Sequence, residues 1–211
     1  MAAAGGGQVS NSWGSNEFGG ETGAAFVAPF VKNNVVFFAS TGDADVPSYP
    51  AALPQLVASG GTTVRRDAAG NLLSPAEATW NDAGAGKSSV VARPAFQSVV
   101  AGVVGTKRGT ANLAAVANPD TGVWVRFRSS WFGVGGTSVS SPLLAGIANL
   151  AGHFAASTAA GQALIYGHLG TGAFRDIKNT SSKCGVGNTL HALVGYDFCT
   201  GVGSPRGLTG L

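Results

Sequence analysis

The stretch Val35-Val-Phe-Phe-Ala39, followed by Ser-Thr-Gly-Asp43, decides the fold of this chain. The five apolar residues leave no polar face, so a strand made of them must be covered on both sides. Strands of that kind are typical of parallel sheets, whose two faces are packed with helices. We therefore predict a buried strand over Val35–Ala39 with a turn directly after it.

The segments before this strand add the pattern of an α/β protein. Gln8–Trp13 predicts a short strand, and Glu21–Lys32 predicts a helix because its Phe and Val residues recur at i, i+4 spacing. A succession of strand, helix and buried strand is the pattern of a parallel sheet with right-handed crossovers. We expect an α/β fold with a mainly parallel sheet flanked by helices.

The rest of the chain continues this pattern. We predict a strand at Gln55–Ser59, a hairpin closed by Ala69–Asn71, a polar loop over Thr79–Gln97, a strand at Val123–Phe127 and a helix over Val139–Ser157. The glycines of the polar loop are too close together for a phosphate-binding loop. No internal repeat or linker divides the chain, so we treat residues 1–211 as one domain or part of one.

Composition excludes several classes of protein. The chain has 211 residues, of which 45% are hydrophobic and 11% charged, so it is not a disordered chain. The net charge is only +3 and the basic residues are scattered, which gives no nucleic-acid-binding stripe. The apolar stretches fall short of the roughly 20 residues that span a bilayer. We expect neither nucleic acid nor membrane as a partner, and no secretion signal in residues 1–7.

A serine stands at the junction of a glycine-rich turn and the predicted long helix, in Gly135-Gly-Thr-Ser138. Glycines let the backbone approach a substrate, and a helix N-terminus favours an alkoxide or oxyanion. The alternative is that Thr137 or Ser138 only caps the helix. All the histidines follow this serine, so we expect them at the surface or at helix ends, with the first inside the same helix: His153, His168 and His191.

Asp43 follows the buried strand at its carboxyl end, where open α/β sheets place their binding crevices. A neutral carboxylic acid there could donate a hydrogen bond to a developing oxyanion. The alternative is a turn aspartate that bonds its own backbone.

Two cysteines, Cys184 and Cys199, lie in a Gly-rich C-terminal region. A disulfide closing a loop of about 15 residues would add on the order of 3 kcal/mol. A reduced, buried pair is the alternative.

Taken together, these motifs resemble the sedolisin family, serine-carboxyl peptidases with a subtilisin-like fold. The resemblance runs along nearly the whole chain. Its motifs are Val9-Ser-Asn-Ser-Trp-Gly14, Phe38-Ala-Ser-Thr-Gly-Asp43, Val57-Ala-Ser-Gly-Gly-Thr-Thr63, Asn118-Pro-Asp-Thr-Gly-Val123, Val134-Gly-Gly-Thr-Ser138, Phe174-Arg-Asp-Ile177 and Gly195-Tyr-Asp-Phe-Cys-Thr-Gly-Val-Gly-Ser-Pro205.

The resemblance implies an endopeptidase that acts on peptides or proteins. Ser138 would be the acyl-forming nucleophile and Asp43 the oxyanion-hole acid. The working pH would be acidic, because Asp43 must stay protonated while another carboxyl group accepts the serine proton. Subtilisins have an asparagine in place of this aspartate.

The chain departs from the family in its general base. That base is a glutamate, oriented by an aspartate, on a helix upstream of the Ser-Asn-Ser-Trp-Gly strand, and only eight residues precede Val9. We expect the sheet to be incomplete on its N-terminal side and the chain alone to be inactive. Glu17 and Glu21 lie after that strand, and we assign them no catalytic role. The family's usual Pro-Asp after an Arg-Gly turn is Ala111-Asn112 here, and Asp45 stands where a glycine is common.

Two alternatives follow from that departure. A truncated or degenerate, non-catalytic homologue would keep a calcium-stabilised scaffold that binds peptides. A subtilisin-type hydrolase that uses a histidine is disfavoured, because no histidine precedes the serine.

The resemblance also implies one Ca²⁺ ion. The side chains of Asp176 and Asp197, with the carbonyls of Ile177, Leu193 and Gly195, would supply its protein ligands, which suits the oxygen-rich shell that calcium prefers. Leu193 stands where a glycine is often found. A disulfide between the two cysteines would tie the same loop and would imply an oxidising, extracellular setting for a longer parent protein.

Overall fold

A computed structural model of the chain describes residues 5–178, 181 and 183–211. Of residues 1–7, where the sequence predicts no secretion signal, the first four lie outside the described residues. Within the described part of the chain, no helix is both long and apolar enough to cross a membrane.

The strands are short and follow one another closely. In chain order they are β1 (Gly7–Asn11), β2 (Ser15–Asn16), β3 (Val35–Ser40), β4 (Ser48–Tyr49), β5 (Val57–Arg66), β6 (Leu72–Thr79), β7 (Gly86–Ala92), β8 (Lys107–Thr110), β9 (Leu113–Val116), β10 (Val123–Phe127), β11 (Ser130–Val134), β12 (Phe174–Arg175), β13 (Lys183–Cys184), β14 (Leu190–His191) and β15 (Ser204–Pro205).

The α-helices are α1 (Ala24–Val27), α2 (Ala101–Val104), α3 (Thr137–Ala151) and α4 (Thr158–Gly167). Short 3-10 helices cover Ala28–Phe30, Ala95–Val100, Pro119–Thr121 and Val186–Asn188.

The central sheet has five strands and is mainly parallel, as predicted. β1 pairs with β3, β3 with β5 and β5 with β9, all in parallel. β6 is the antiparallel member, since it folds back along the second half of β5 through the predicted hairpin. With helices packed on it, this arrangement is the expected α/β fold with a mainly parallel sheet.

β3 lies in the middle of the core. Val36 and Phe38 pack toward Leu144 of α3, in the larger apolar cluster. Val35, Phe37 and Ala39 belong to a second cluster. All six residues of β3 are buried, which confirms the prediction of a strand covered on both faces.

Both long helices were predicted with the wrong bounds. The segment 21–32 forms α1 and then a 3-10 turn that holds Pro29, because proline lacks the N–H that a continuing helix needs. α3 begins at Thr137 and ends where Gly152 takes a φ of +72°, a left-handed conformation that terminates helices. His153 therefore lies beyond α3 and not inside it.

The predicted polar loop 79–97 contains a strand that the sequence pattern did not predict. β7 pairs with β8 in antiparallel fashion. Its polar residues are satisfied by Glu17, whose carboxylate accepts hydrogen bonds from the hydroxyls of Ser88 and Ser89 and, at 2.9 Å, from the Ser89 N–H. The partner of these serines is distant in sequence, so no local pattern indicates the strand.

A buried guanidinium lies behind the sheet. Arg108 is fully buried, and its Nη2 donates to the carbonyls of Ala51 and Leu56 and, at 2.9 Å, to Oδ1 of Asn112. Burial lowers the pKa of Arg108 to about 10, so it stays charged at neutral pH. Its Nε and Nη1 have no hydrogen-bond partner among the described residues. Asn112 therefore offers this buried cation a neutral amide. The family that the sequence resembles usually has an aspartate at this position.

We predict that Asn112→Asp raises the free energy of unfolding by roughly 1–3 kcal/mol at neutral pH, because it gives an already buried cation a counter-charge. The guanidinium would hold the pKa of the new carboxyl below its unfolded value of about 3.9, so the gain is present at neutral pH and is lost as the pH falls through the folded-state pKa. Urea unfolding across that pH range measures the effect.

The matched control is Asn33→Asp, which adds the same charge at an exposed position. It should change stability by no more than about 0.5 kcal/mol. Destabilisation by Asn112→Asp at neutral pH would contradict the prediction.

Candidate active site

The N-terminus of α3 is built on a glycine. Gly136 is the N-cap residue, it is buried and its φ is +89°, a conformation that side chains other than glycine rarely adopt. No side chain of the helix itself caps its first turn. The interpretation of Thr137 or Ser138 as a helix cap is therefore wrong.

Asp43 occupies the capping position from the neighbouring loop. Its Oδ1 accepts hydrogen bonds from the backbone N–H of Thr137 at 2.8 Å and from the Thr137 hydroxyl at 2.7 Å. The same hydroxyl accepts the N–H of Gly42 at 3.1 Å. The interpretation of Asp43 as a turn residue that bonds its own backbone is wrong, because its described partners lie on α3.

These contacts bring the two predicted catalytic residues together. Asp43 binds the residue next to Ser138, and Ser138 is exposed in the first turn of α3. The carbonyl of Ser138 accepts the hydroxyl of Ser12 at 2.9 Å. The hydroxyl of Ser138 has no hydrogen-bond partner among the described residues.

Sequence reasoning missed two groups of residues that position this site. Thr137 connects Asp43 to α3. Two serines connect β1 and the residue after it to the same helix: Ser10 of β1 through a 2.9 Å contact with the Ser141 hydroxyl, and Ser12, just beyond β1, through the Ser138 carbonyl. The alternation of serine at 10 and 12 was the available indication, since alternate residues of a strand share one face.

A cavity of about 230 Å³ opens beside Asp43. Its walls come from the loop after β1, the loop after β3 and the start of β4, and include Gly14, Thr41 and Ser48. The Thr41 hydroxyl is buried without a hydrogen-bond partner in the described residues. The site therefore combines an exposed hydroxyl, a carboxyl group and a pocket large enough for a side chain.

Other titratable residues lie elsewhere. Nδ1 of His153 is 3.1 Å from the Leu211 carbonyl, and His168 is the C-cap residue of α4, as expected for helix-end histidines. The carboxylate of Glu17 accepts hydrogen bonds from Ser88 and Ser89. Burial raises the pKa of Glu21, whose Oε2 accepts the Phe18 N–H at 3.0 Å.

The residues proposed for calcium meet around one turn of the chain. Asp176 Oδ2 accepts the N–H of Gly195 at 3.1 Å, and Asp197 Oδ2 accepts the N–H of Leu193 at 3.2 Å. Cys184 and Cys199 form a disulfide, so the reduced alternative is wrong. The bridge closes the same loop, since Asp197 Oδ1 also accepts the N–H of Cys199 at 2.8 Å.

The two carboxylates differ in how they are satisfied. Oδ1 of Asp176 is buried and has no hydrogen-bond partner in the described part of the chain. Asp197 is 1% exposed and surrounded by neutral donors, and burial raises its pKa to about 7. No cluster of three or more His, Cys, Asp and Glu side chains suitable for a metal is found among the described residues. A cation here would depend on these two carboxylates and on backbone carbonyls.

The sequence of the chain is similar to that of a known protein. No model of a protein family matches the chain. It is 30% identical over 170 residues to sedolisin of Pseudomonas sp. (strain 101), a match that covers 74% of this chain and 28% of that protein. The chain thus spans less than a third of that relative's length.

Solved structures give the same result for the fold. Pseudomonas sedolisin, a serine-carboxyl proteinase solved with two molecules of pseudo-iodotyrostatin, matches with a TM-score of 0.75 at 25% identity, over 94% of this chain and 62% of that one. Sphericase matches with a TM-score of 0.63 at 19% identity, over 97% and 58% of the two chains, and shares the fold alone.

We predict that Gly136→Ala destabilises the chain by roughly 1–3 kcal/mol, because alanine is strained at this φ. Its Cβ would also lie 2.6 Å from Oδ2 of Asp43 and would displace the carboxylate. Urea unfolding measures the change.

Gly146→Ala is the matched control, since a Cβ there meets nothing within 4 Å. In the middle of α3 it should stabilise the chain by about 0.5–1 kcal/mol. Equal effects of the two substitutions would show that the Gly136 turn is not under constraint.

Proposed function

We propose that this chain, which belongs to the sedolisin family in sequence and in fold, carries the nucleophile and the oxyanion-binding acid of a serine-type endopeptidase. The observation that supports this most directly is the pair of hydrogen bonds from Thr137 to Asp43, beside the exposed Ser138. The substrates would be peptides or proteins.

In the proposed reaction, Oγ of Ser138 attacks the carbonyl carbon of the scissile peptide bond. The serine proton passes to a carboxylate base, which the family supplies from upstream of the Ser-Asn-Ser-Trp-Gly strand. The carbonyl π electrons move to oxygen, and the C–N bond breaks when the leaving amine takes up a proton. Water then hydrolyses the acyl-enzyme and restores the hydroxyl.

Asp43 would stabilise the negative oxygen. Its Oδ1 is occupied by the two donors of Thr137, which leaves Oδ2 as the oxygen that carries a proton toward the substrate. Because a carboxylic acid is neutral only at acid pH, we propose an acidic working range. The N-terminus of α3 would add the partial positive charge of its free N–H groups.

The pocket beside Asp43 would take a substrate side chain. Gly14 and Thr41 line it, and the unpartnered Thr41 hydroxyl would favour a side chain that forms hydrogen bonds.

The test uses a peptide aldehyde, isotope-labelled at its carbonyl carbon, and detects the hemiacetal by NMR. Formation of a hemiacetal is an equilibrium, so it does not require the general base that hydrolysis needs for its rate. We expect a hemiacetal at acid pH that is lost in Ser138→Ala and kept in the control Ser129→Ala. It should weaken as the pH rises, because an ionised carboxyl group no longer donates a hydrogen bond.

Asp43 provides the second arm of this test. Asp43→Asn should keep the hemiacetal at neutral pH, because an amide donates at every pH, whereas Asp43→Ala should weaken it by roughly 100-fold or more. If no hemiacetal forms, or if Ser138→Ala keeps it, the chain is the non-catalytic scaffold described above.

We further propose that the chain binds one Ca²⁺ through the carboxylates of Asp176 and Asp197 and the carbonyls of Ile177, Leu193 and Gly195. The buried Oδ1 of Asp176, which has no hydrogen-bond partner among the described residues, supports this, since a cation would satisfy it. When bound, the ion would supply positive charge to the turn that the disulfide holds in place. The disulfide supports an oxidising, extracellular setting for the parent protein.

Calcium should raise the melting temperature of the chain, and a concentration of 100 times Kd would add about 2.7 kcal/mol. Asp176→Asn should remove this response, because it takes away the negative charge. The amide oxygen of the asparagine can still accept the hydrogen bond from the Gly195 N–H. Asp120→Asn, on an exposed turn, is the control and should respond like the parent chain. An unchanged response in Asp176→Asn would place calcium elsewhere.

A further inference from the structure

Strands β10 and β11 pair only with each other among the described residues and form a two-stranded ribbon, residues 123–134, which we call the aromatic ribbon. Its register sets Val125 opposite Phe132 and Arg126 opposite Trp131. Every residue from 124 to 133 is exposed. A two-stranded ribbon without a packed face gains little from burial, so its apolar residues are not explained by folding.

The exposed apolar surface of the aromatic ribbon lies on both of its faces. Alternation along the strands puts Val125, Phe127 and Phe132 on one face and Trp124 and Trp131 on the other. Their exposed fractions run from 42% for Val125 to 73% for Trp124. Contiguous apolar surface of this kind marks an interaction site.

The charges of the aromatic ribbon have one sign. Arg126 lies 5.9 Å from the ring of Trp131, and Arg128 lies 5.3 Å from the ring of Phe127. There is no Asp or Glu between residues 121 and 134. Neither guanidinium forms an ion pair within the described part of the chain, so both keep donors for an external anion.

We propose that the aromatic ribbon binds the protein to an anionic lipid surface. Trp and Phe side chains partition to the depth of lipid head groups, and arginines bind lipid phosphates there. A fluid interface can adapt to the exposed apolar side chains on both faces of the ribbon, whereas a folded partner that packs on one face would leave the other exposed.

The outer edges of the aromatic ribbon limit how deeply it can enter the lipid layer. Among the described residues neither strand pairs with a third strand, so the outer edge of each presents backbone groups that the hydrated head-group layer can satisfy and the hydrocarbon core cannot. This is contact with a membrane surface, and the proposal differs from the expectation from sequence that membranes are not partners. That no helix of the described residues is long and apolar enough to cross a membrane does not bear on it. It does not depend on peptidase activity.

Vesicle sedimentation of the whole chain tests the proposal. We expect binding to vesicles of phosphatidylcholine with phosphatidylglycerol, weakened by salt, and little binding to phosphatidylcholine alone. Arg126→Gln and Arg128→Gln should each weaken binding roughly fivefold, and Phe127→Ser roughly tenfold. Tryptophan emission should shift to shorter wavelength on binding.

The controls are matched in exposure and chemistry. Phe154→Ser removes a phenylalanine that is 61% exposed, against 62% for Phe127, and Arg206→Gln removes an exposed arginine outside the ribbon. Both should bind like the parent chain. Circular dichroism confirms that each variant is folded.

Equal binding to both kinds of vesicle, or equal losses in Phe127→Ser and Phe154→Ser, would overturn the proposal. So would the absence of vesicle binding together with self-association that Phe127→Ser abolishes, a result that would assign the aromatic ribbon to a contact between copies of the chain.

Discussion

The candidate site depends on one contact, in which the carboxylate of Asp43 accepts two hydrogen bonds from Thr137. It joins the loop after strand β3 to the N-terminus of α3, where the Gly42 N–H also donates to the Thr137 hydroxyl at 3.1 Å. The left-handed turn at Gly136 brings the helix N-terminus against this carboxylate. Ser138 follows in the first turn, so its position is a consequence of the contact.

Much of this arrangement could be predicted from local sequence. The Val35–Ala39 strand was predictable because a strand apolar on both faces has to be buried, and the position of Asp43 follows from where that strand ends. The hairpin between β5 and β6 was predictable from its turn residues. What could not be predicted were boundaries set by single backbone conformations, such as the end of α3 at Gly152 or the break of the predicted 21–32 helix at Pro29.

The remaining failures share a different cause, which is long-range polar contact. β7 escaped prediction because its serines are satisfied by Glu17, some seventy residues earlier in the chain. The capping interpretation of Thr137 failed because the cap comes from Asp43, which lies 94 residues away in sequence. Arg108 lacks a counter-charge because its partner at position 112 is an asparagine. The sequence shows the asparagine, but only the fold shows that it faces a buried cation.

The contacts described here divide the chemistry of the site into two parts. Among the described residues, Asp43 and Ser138 are positioned by Thr137 and Gly136 on the helix side and by Ser12 just after β1. In the proposed reaction Asp43 would bind the negative oxygen, and its effect would be a difference in free energy between bound states. Proton transfer from Ser138 would determine the rate, and no described residue forms a hydrogen bond with its hydroxyl. Oxyanion binding and hydrolysis would therefore depend on different residues, so a hemiacetal could form where peptide hydrolysis is slow.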